Sequence, residues 1–160
     1  MIRLLDTDTL ILLVRGLKLV RARNEKEHRS VGLAERILER CRASQSAGHR
    51  IGLSANSVAE LEYGVRNSGN PEREASAMRK ILVPFEVFDF DAVHAARLYG
   101  SVRQELEASG TPIGAMDLLI GAHALSLGAV LVTHNTAHFS KVPGLVCEDW
   151  TRDSAPSGSA

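Results

Sequence analysis

The sequence predicts an α/β protein, a three-layer α/β/α sandwich around a central, mainly parallel sheet. Three observations carry that expectation. Short apolar runs at Ile2–Leu5, Ile51–Leu53, Val87–Phe90, Ala129–Val132 and Leu145–Cys147 recur along the chain, and most are too apolar for one face to meet water. Longer helix-period segments separate them. Strands that alternate with helices pair in parallel and are covered by helices on both faces.

The first strand, Ile2-Arg3-Leu4-Leu5, runs into Asp6-Thr7-Asp8-Thr9, where a helix is expected to start near Thr9. Leu33, Ala34, Ile37, Leu38 and Cys41 recur at three and four residues and predict the next helix. Val58, Leu61 and Val65 do the same after the second strand, as do Ala92, Ala95, Ala96, Tyr99, Val102 and Leu106 after the third. A further helix is expected from Ala115 to Leu127, stopped by Gly128. The chain shows no internal repeat and no linker, and 160 residues suit one domain, expected over 1–153. The Ser- and Gly-rich end, 154–160, reads as a disordered tail.

A composition of 44% hydrophobic and 24% charged residues excludes a disordered or fibrous chain. No run approaches the ~20 apolar residues of a membrane helix. Cys41 and Cys147 are far apart and lack a CxxC spacing, which fits two reduced thiols and a cytoplasmic location. Formal net charge is zero, yet Arg15 to Arg50 holds ten Lys/Arg against four Glu, so this stretch is +6 and the rest of the chain −6. Such asymmetry leaves room for a polyanionic partner. Aromatic residues, at 4%, argue against a base-stacking platform.

In sheets of this kind ligands bind beyond the carboxyl ends of the strands. Asp6 and Asp8 arrive at such an end two residues apart, a repulsive pair unless a cation lies between them. A helix cap by Asp8 or Thr7, or by Asp6 itself, is the alternative. Glu60 follows the second strand in Ser57-Val58-Ala59-Glu60, which is also the pattern of a capping box with Ser57 as N-cap. Asp117 stands in the first turn of its helix, where the dipole favours an acid in any case. Three acids on one sheet edge nevertheless point to a hard, oxygen-liganded cation, Mg²⁺ or Mn²⁺. His134 and His138 have no cysteine pair to complete a zinc site. No glycine-rich phosphate loop is present, and Ser54, Ser57 and Thr133 have no triad spacing.

Four stretches in order resemble the PIN-domain ribonucleases, and among them the VapC-type toxins of prokaryotic toxin–antitoxin pairs. They are Leu4-Leu5-Asp6-Thr7-Asp8, Ser57 to Gly64, Gly110-Thr111-Pro112-Ile113-Gly114-Ala115-Met116-Asp117 on to Ala124, and Leu131-Val132-Thr133-His134-Asn135, followed by Phe139, Val142 to Leu145 and Glu148-Asp149-Trp150. The resemblance implies that Asp6, Glu60 and Asp117 are catalytic, metal-binding acids supported by Asp8, with Thr133 and Asn135 at a fourth site where many relatives carry an acid. Asn135 brings no negative charge to that site. It further implies Mg²⁺- or Mn²⁺-dependent hydrolysis of RNA, an inhibitory antitoxin protein and a homodimer. The segment 18–49 is long for the family and is expected to form a helical hairpin. Its Lys18, Arg21, Arg23 and Lys26, in the least helix-periodic part, are the expected RNA contacts.

Two rival readings remain. Asp6-Thr7-Asp8-Thr9 also resembles the opening signature of haloacid-dehalogenase-type phosphatases, with Asp6 as nucleophile and Ser54 as a phosphate-binding hydroxyl. The other is a non-catalytic partner-binding domain that keeps its acids as caps.

Overall fold

In the computed structural model, which describes residues 1–19 and 21–152, all five apolar runs become strands: β1 (Ile2–Leu5), β2 (Arg50–Ser54), β3 (Glu86–Phe88), β4 (Val130–Val132) and β5 (Cys147–Glu148). They form one sheet in the order β3-β2-β1-β4-β5, and every pairing is parallel. β5 starts later than the sequence suggests, because Gly144 turns the chain at φ +76° and Val146 stays exposed. The expected tail, 154–160, lies outside the described residues.

β1 is the central strand and is buried on both faces. Leu5 faces α1 (Thr7–Leu17) and α2 (Glu25–Ser46), in a core with Leu10, Leu13, Ile37, Leu53 and Val132. Leu4 faces α6 (Ala115–Ser126) and α7 (Thr136–Phe139), among Phe88, Ile120, Leu131 and Phe139. That is the sandwich the alternation of strands and helices demands. The chain moves outward from β1 to β2 and β3, then returns to the other side of β1 as β4. The crevice beyond the carboxyl ends of β1 and β4 is therefore the topological switch point, where ligands bind in such sheets.

α3 (Ala55–Arg66) and α4 (Pro71–Leu82) join the core on the α1 side through Leu61 and Met78, and α5 (His94–Ala108) packs on α6 through Val102, Leu106 and Leu118. α4 escapes the hydrophobic pattern because Met78 alone in it is buried, although Asn70 and Pro71 mark its start as cap and first helical residue. Segment 18–49 forms half of a helical hairpin: α2 is one 22-residue helix folded back on α1. Gly16 permits their close approach. A Cβ at position 16 would lie 2.4 Å from both Ala34 Cβ and the Ser30 carbonyl oxygen. Among the described residues no helix is long and apolar enough to cross a membrane.

Two cap assignments require correction. α3 begins at Ala55 and is capped by Ser54, whose Oγ accepts from Asn56 N at 3.1 Å. Ser57 sits inside the helix with its buried hydroxyl unpaired, so the Ser57–Glu60 capping box does not exist. α1 begins at Thr7, and its cap is Asp6 rather than Asp8 or Thr7.

Ser54 Oγ also lies 2.8 Å from Nδ1 of His123, a fully buried residue of α6 whose ring meets Phe90 edge-on. This link ties the start of α3 to α6. Burial holds the His123 imidazole below its usual range, with the Asp89 backbone opposing in part. Cys41 and Cys147 are both free, and burial pushes the Cys41 thiol up to about 12.

Gly16→Ala is expected to destabilise the fold, since overpacking costs about 1–3 kcal/mol against about 1 kcal/mol that alanine gains in helix propensity. A lower urea midpoint with an unchanged slope checks this. His123 gives a pH prediction. Its depressed folded value means that its stabilising contribution is present above the usual imidazole range and is lost as pH falls through the folded value. Below about pH 6.5 wild-type stability should therefore decline more steeply than that of His123→Gln, measured as melting temperature against pH.

Candidate active site

Asp6 is the first residue past β1. Its N–H donates to the Val132 carbonyl at 3.0 Å, extending the pairing with β4, and its Oδ1 accepts from Thr9 N at 2.7 Å, capping α1. The residue is only 3% exposed. Burial raises the carboxyl's pKa, with a smaller upward push from Asp8, while the hydroxyl of Thr133 and Thr9 pull it down. Thr133, the first residue past β4, is buried and also accepts from Asn135 N at 3.0 Å. The ends of β1 and β4 thus meet around a carboxylate whose charge the protein alone offsets poorly.

Glu60 projects from the second turn of α3 and accepts from the hydroxyl of Thr7, the first residue of α1. Asp117 sits in the first turn of α6 after Gly114, and its Oδ2 lies 3.0 Å from Nδ1 of His138 on α7. The same nitrogen is 3.3 Å from Asn135 Nδ2. A protonated Nδ1 donates to Asp117, whereas an unprotonated one accepts from Asn135. Asp6, Asp8, Glu60 and Asp117, with Thr7, Ile11, Tyr63 and Ile120, line one cleft of about 190 Å³ at the switch point.

The structure therefore brings together all three expected acids and Asp8, with Thr133 and Asn135 behind Asp6 and Asp117. The donor set that lines the cleft is carboxylate and hydroxyl oxygen, the chemistry of a hard divalent cation. The buried Asp6 supplies a reason for one. Among the described residues no three acid, histidine or cysteine side chains already surround a single point. Asp6, Glu60 and Asp117 each turn instead to a protein donor.

Other expectations fare differently. Lys18 is ion-paired with Glu74 of α4. Arg21, Arg23 and Lys26 are exposed beyond the far end of α1, whose 11 residues separate them from Asp6 by about 16 Å. None of the four reaches the cleft. Ser54 is fully buried on His123 and cannot meet a phosphate, which removes the phosphatase's hydroxyl. His134 is exposed, while His138 stands beside Asp117; the H-x₃-H spacing considered for zinc hid that second place. Thr7, expected only as a cap, and Tyr63 also line the cleft, and the place of Tyr63 three residues after Glu60 puts it on the same helix face.

An all-parallel sheet with acids gathered at its switch point defines a class of nuclease fold, and residues 4–145 match the PIN domain; the chain belongs to that family. Within it the relatives are VapC ribonucleases. The chain is 35% identical over 147 residues to the tRNA(fMet)-specific endonuclease VapC of Salmonella typhimurium, covering 92% of this chain and 96% of that one. To ribonuclease VapC2 of Rickettsia felis it is 40% identical over 102 residues, 64% of this chain and 75% of that one. Similar solved structures include DNA-bound VapBC from S. typhimurium, with a TM-score of 0.77 and 34% identity over 92% of this chain and 97% of that one. VapBC2 of R. felis bound to a fragment of its promoter DNA has a TM-score of 0.74 and 31% identity over 94% and 99%.

Asp6→Asn should stabilise the metal-free protein at neutral pH. Asparagine keeps the acceptor for Thr9 N and removes a charge that burial disfavours. Because the folded-state pKa of Asp6 is raised, its contribution to stability is lost as pH rises through that value, so the variant's advantage should be largest near neutrality and vanish in acid. Melting curves in chelator at several pH values check this.

Proposed function

We propose that this chain is the toxin of a toxin–antitoxin pair: a Mg²⁺- or Mn²⁺-dependent endoribonuclease that hydrolyses phosphodiester bonds in RNA. The observation that carries the reading is the convergence of Asp6, Glu60 and Asp117 on one cleft at the switch point. The named functions of the VapC relatives support it. The similar VapBC structures support an antitoxin protein as partner, and family resemblance supports a homodimer.

Asp6, Asp117 and Glu60 are the residues that would hold the cation, with Asp8 and Asn135 beside them. A bound divalent cation supplies Lewis acidity and lowers the pKa of a water nucleophile, so no protein nucleophile is needed. The chain's own part is positioning. Thr9 N and the Thr133 hydroxyl fix the orientation of Asp6, Thr7 holds Glu60, and His138 holds Asp117. Asn135, neutral at the fourth site, contributes an amide that can donate to a phosphoryl oxygen, and it adds no repulsion to an approaching polyanion. The phosphatase alternative loses support with the burial of Ser54.

Mg²⁺ or Mn²⁺ is expected to raise the melting temperature, by about 2.7 kcal/mol of stability at 100 times its dissociation constant. Asp6→Asn and Asp117→Asn should each lose that shift and RNA cleavage while remaining folded by circular dichroism. Cleavage by the double variant at the wild-type rate would refute the reading.

A further inference from the structure

The cleft does not end at the acids. Ile11 and Glu60, which wall it, also wall a neighbouring hollow of about 320 Å³ between α1, α3 and α4. That hollow shares Arg15, Lys18 and Glu74 with a third of about 700 Å³, which runs on along α4 past Arg73 and Lys80. The three adjoin one another in a row that leads away from Asp6. Their charges are unevenly engaged. Lys18 and Glu74 neutralise each other, whereas the exposed side chains of Arg15, Arg73 and Lys80 have no partner among the described residues. The acidic cleft therefore adjoins a mainly apolar hollow edged by Arg15, and beyond it one that Arg15, Arg73 and Lys80 line together.

On the wall of the cleft stands Tyr63, 71% exposed. The chain has seven aromatic residues, and Phe85, Phe88, Phe139 and Trp150 are in the core, none more than 8% exposed. The scarcity of aromatics argues against a platform of several rings. It does not bear on one ring left in water on the wall of the cleft, one helical turn from Glu60.

We propose that a single RNA strand crosses the cleft with a base stacked on Tyr63 and continues into the α1–α3–α4 groove, its phosphates on Arg15, Arg73 and Lys80. This rests on the ribonuclease reading above and replaces Lys18, Arg21, Arg23 and Lys26 as the contacts to the strand. Stacking selects no particular base, and phosphate contacts carry no sequence information, so the groove sets affinity and register while the choice of cut site lies elsewhere. RNA is the occupant that the charges favour: cations without partners line the groove, and the acids lie at its end, where the scissile phosphate must stop.

The test uses the full chain and a fluorescein-labelled single-stranded RNA of roughly twelve nucleotides that the wild type cuts at one mapped bond. Binding is read by anisotropy in the cleavage-dead Asp6→Asn background and cleavage in the otherwise wild-type protein. Tyr63→Ala should weaken binding and raise KM roughly 5- to 100-fold with little change in kcat, and Tyr63→Trp should restore both. An abasic nucleotide beside the cut should cost the wild type about as much and the alanine variant nothing further. Arg15→Gln/Arg73→Gln/Lys80→Gln should lower the slope of log affinity against log salt by about 2, near 0.7 for each lost contact. The Mg²⁺-induced melting shift should be unchanged in all of these variants. Wild-type binding by Tyr63→Ala, an equal abasic penalty in both proteins, or an unaltered salt slope would overturn the proposal while RNA cleavage stood. If wild-type protein cut no RNA, the ribonuclease reading would fail first. If the triple variant kept RNA binding but lost inhibition by the antitoxin, the groove would be a protein-docking surface and the proposal wrong.

Discussion

The arrangement depends on one carboxylate that is buried where burial is unfavourable. Asp6 closes β1, caps α1 and borders the crevice between β1 and β4, and a single side chain can do all three only from a position nearly out of water. Capping gives it one backbone donor, and Thr133 gives it a second contact across the switch point. These interactions reduce the cost of the charge without removing it. The remaining imbalance faces the cleft and arises in the same bond network that starts the first helix. Glu60 and Asp117 come to that cleft on α3 and α6, which are linked by Ser54 at the start of the one and His123 in the last turn of the other.

Much of this was legible in the sequence, for identifiable reasons. Apolar runs and helix periods are local properties, so strand positions and the sandwich follow from them, as does the end of α6 at Gly128, which has φ +57°. The approach of Asp6, Glu60 and Asp117 follows from topology, because parallel strands put all their carboxyl ends on one side. What failed was choice among overlapping local patterns. Ser54 and Ser57 both offer a hydroxyl near a helix start, and only the backbone at Ser54 has the extended conformation of a cap. Asp6 and Asp8 pose the same ambiguity.

The remaining misses concern pairs far apart in the chain. Lys18 looked free because its neighbours lack periodicity, yet its partner Glu74 is 56 residues away on a helix with almost no buried face. His138 looked like half of a zinc spacing because Asp117 is distant in sequence. Arg36 and Arg40, in the same basic stretch, donate to the carbonyls of Thr151 and Arg152. A run of positive charge is thus divided among structural contacts, solvent and the groove, and sequence spacing alone does not say which residue goes where.

The strand order also bears on synthesis. During translation β1 emerges first and acquires β2 within some fifty residues, but its other edge stays open until β4 is made. Val132, Thr133 and His138, which complete the surroundings of Asp6 and Asp117, leave the ribosome only after β1, β2 and β3, and the carbonyls that hold α2 come later still. The cleft is therefore assembled last. Late pairing of distant segments slows folding and leaves a strand edge exposed while it waits. The same order keeps a nascent chain catalytically incomplete until β4 and α7 have been made.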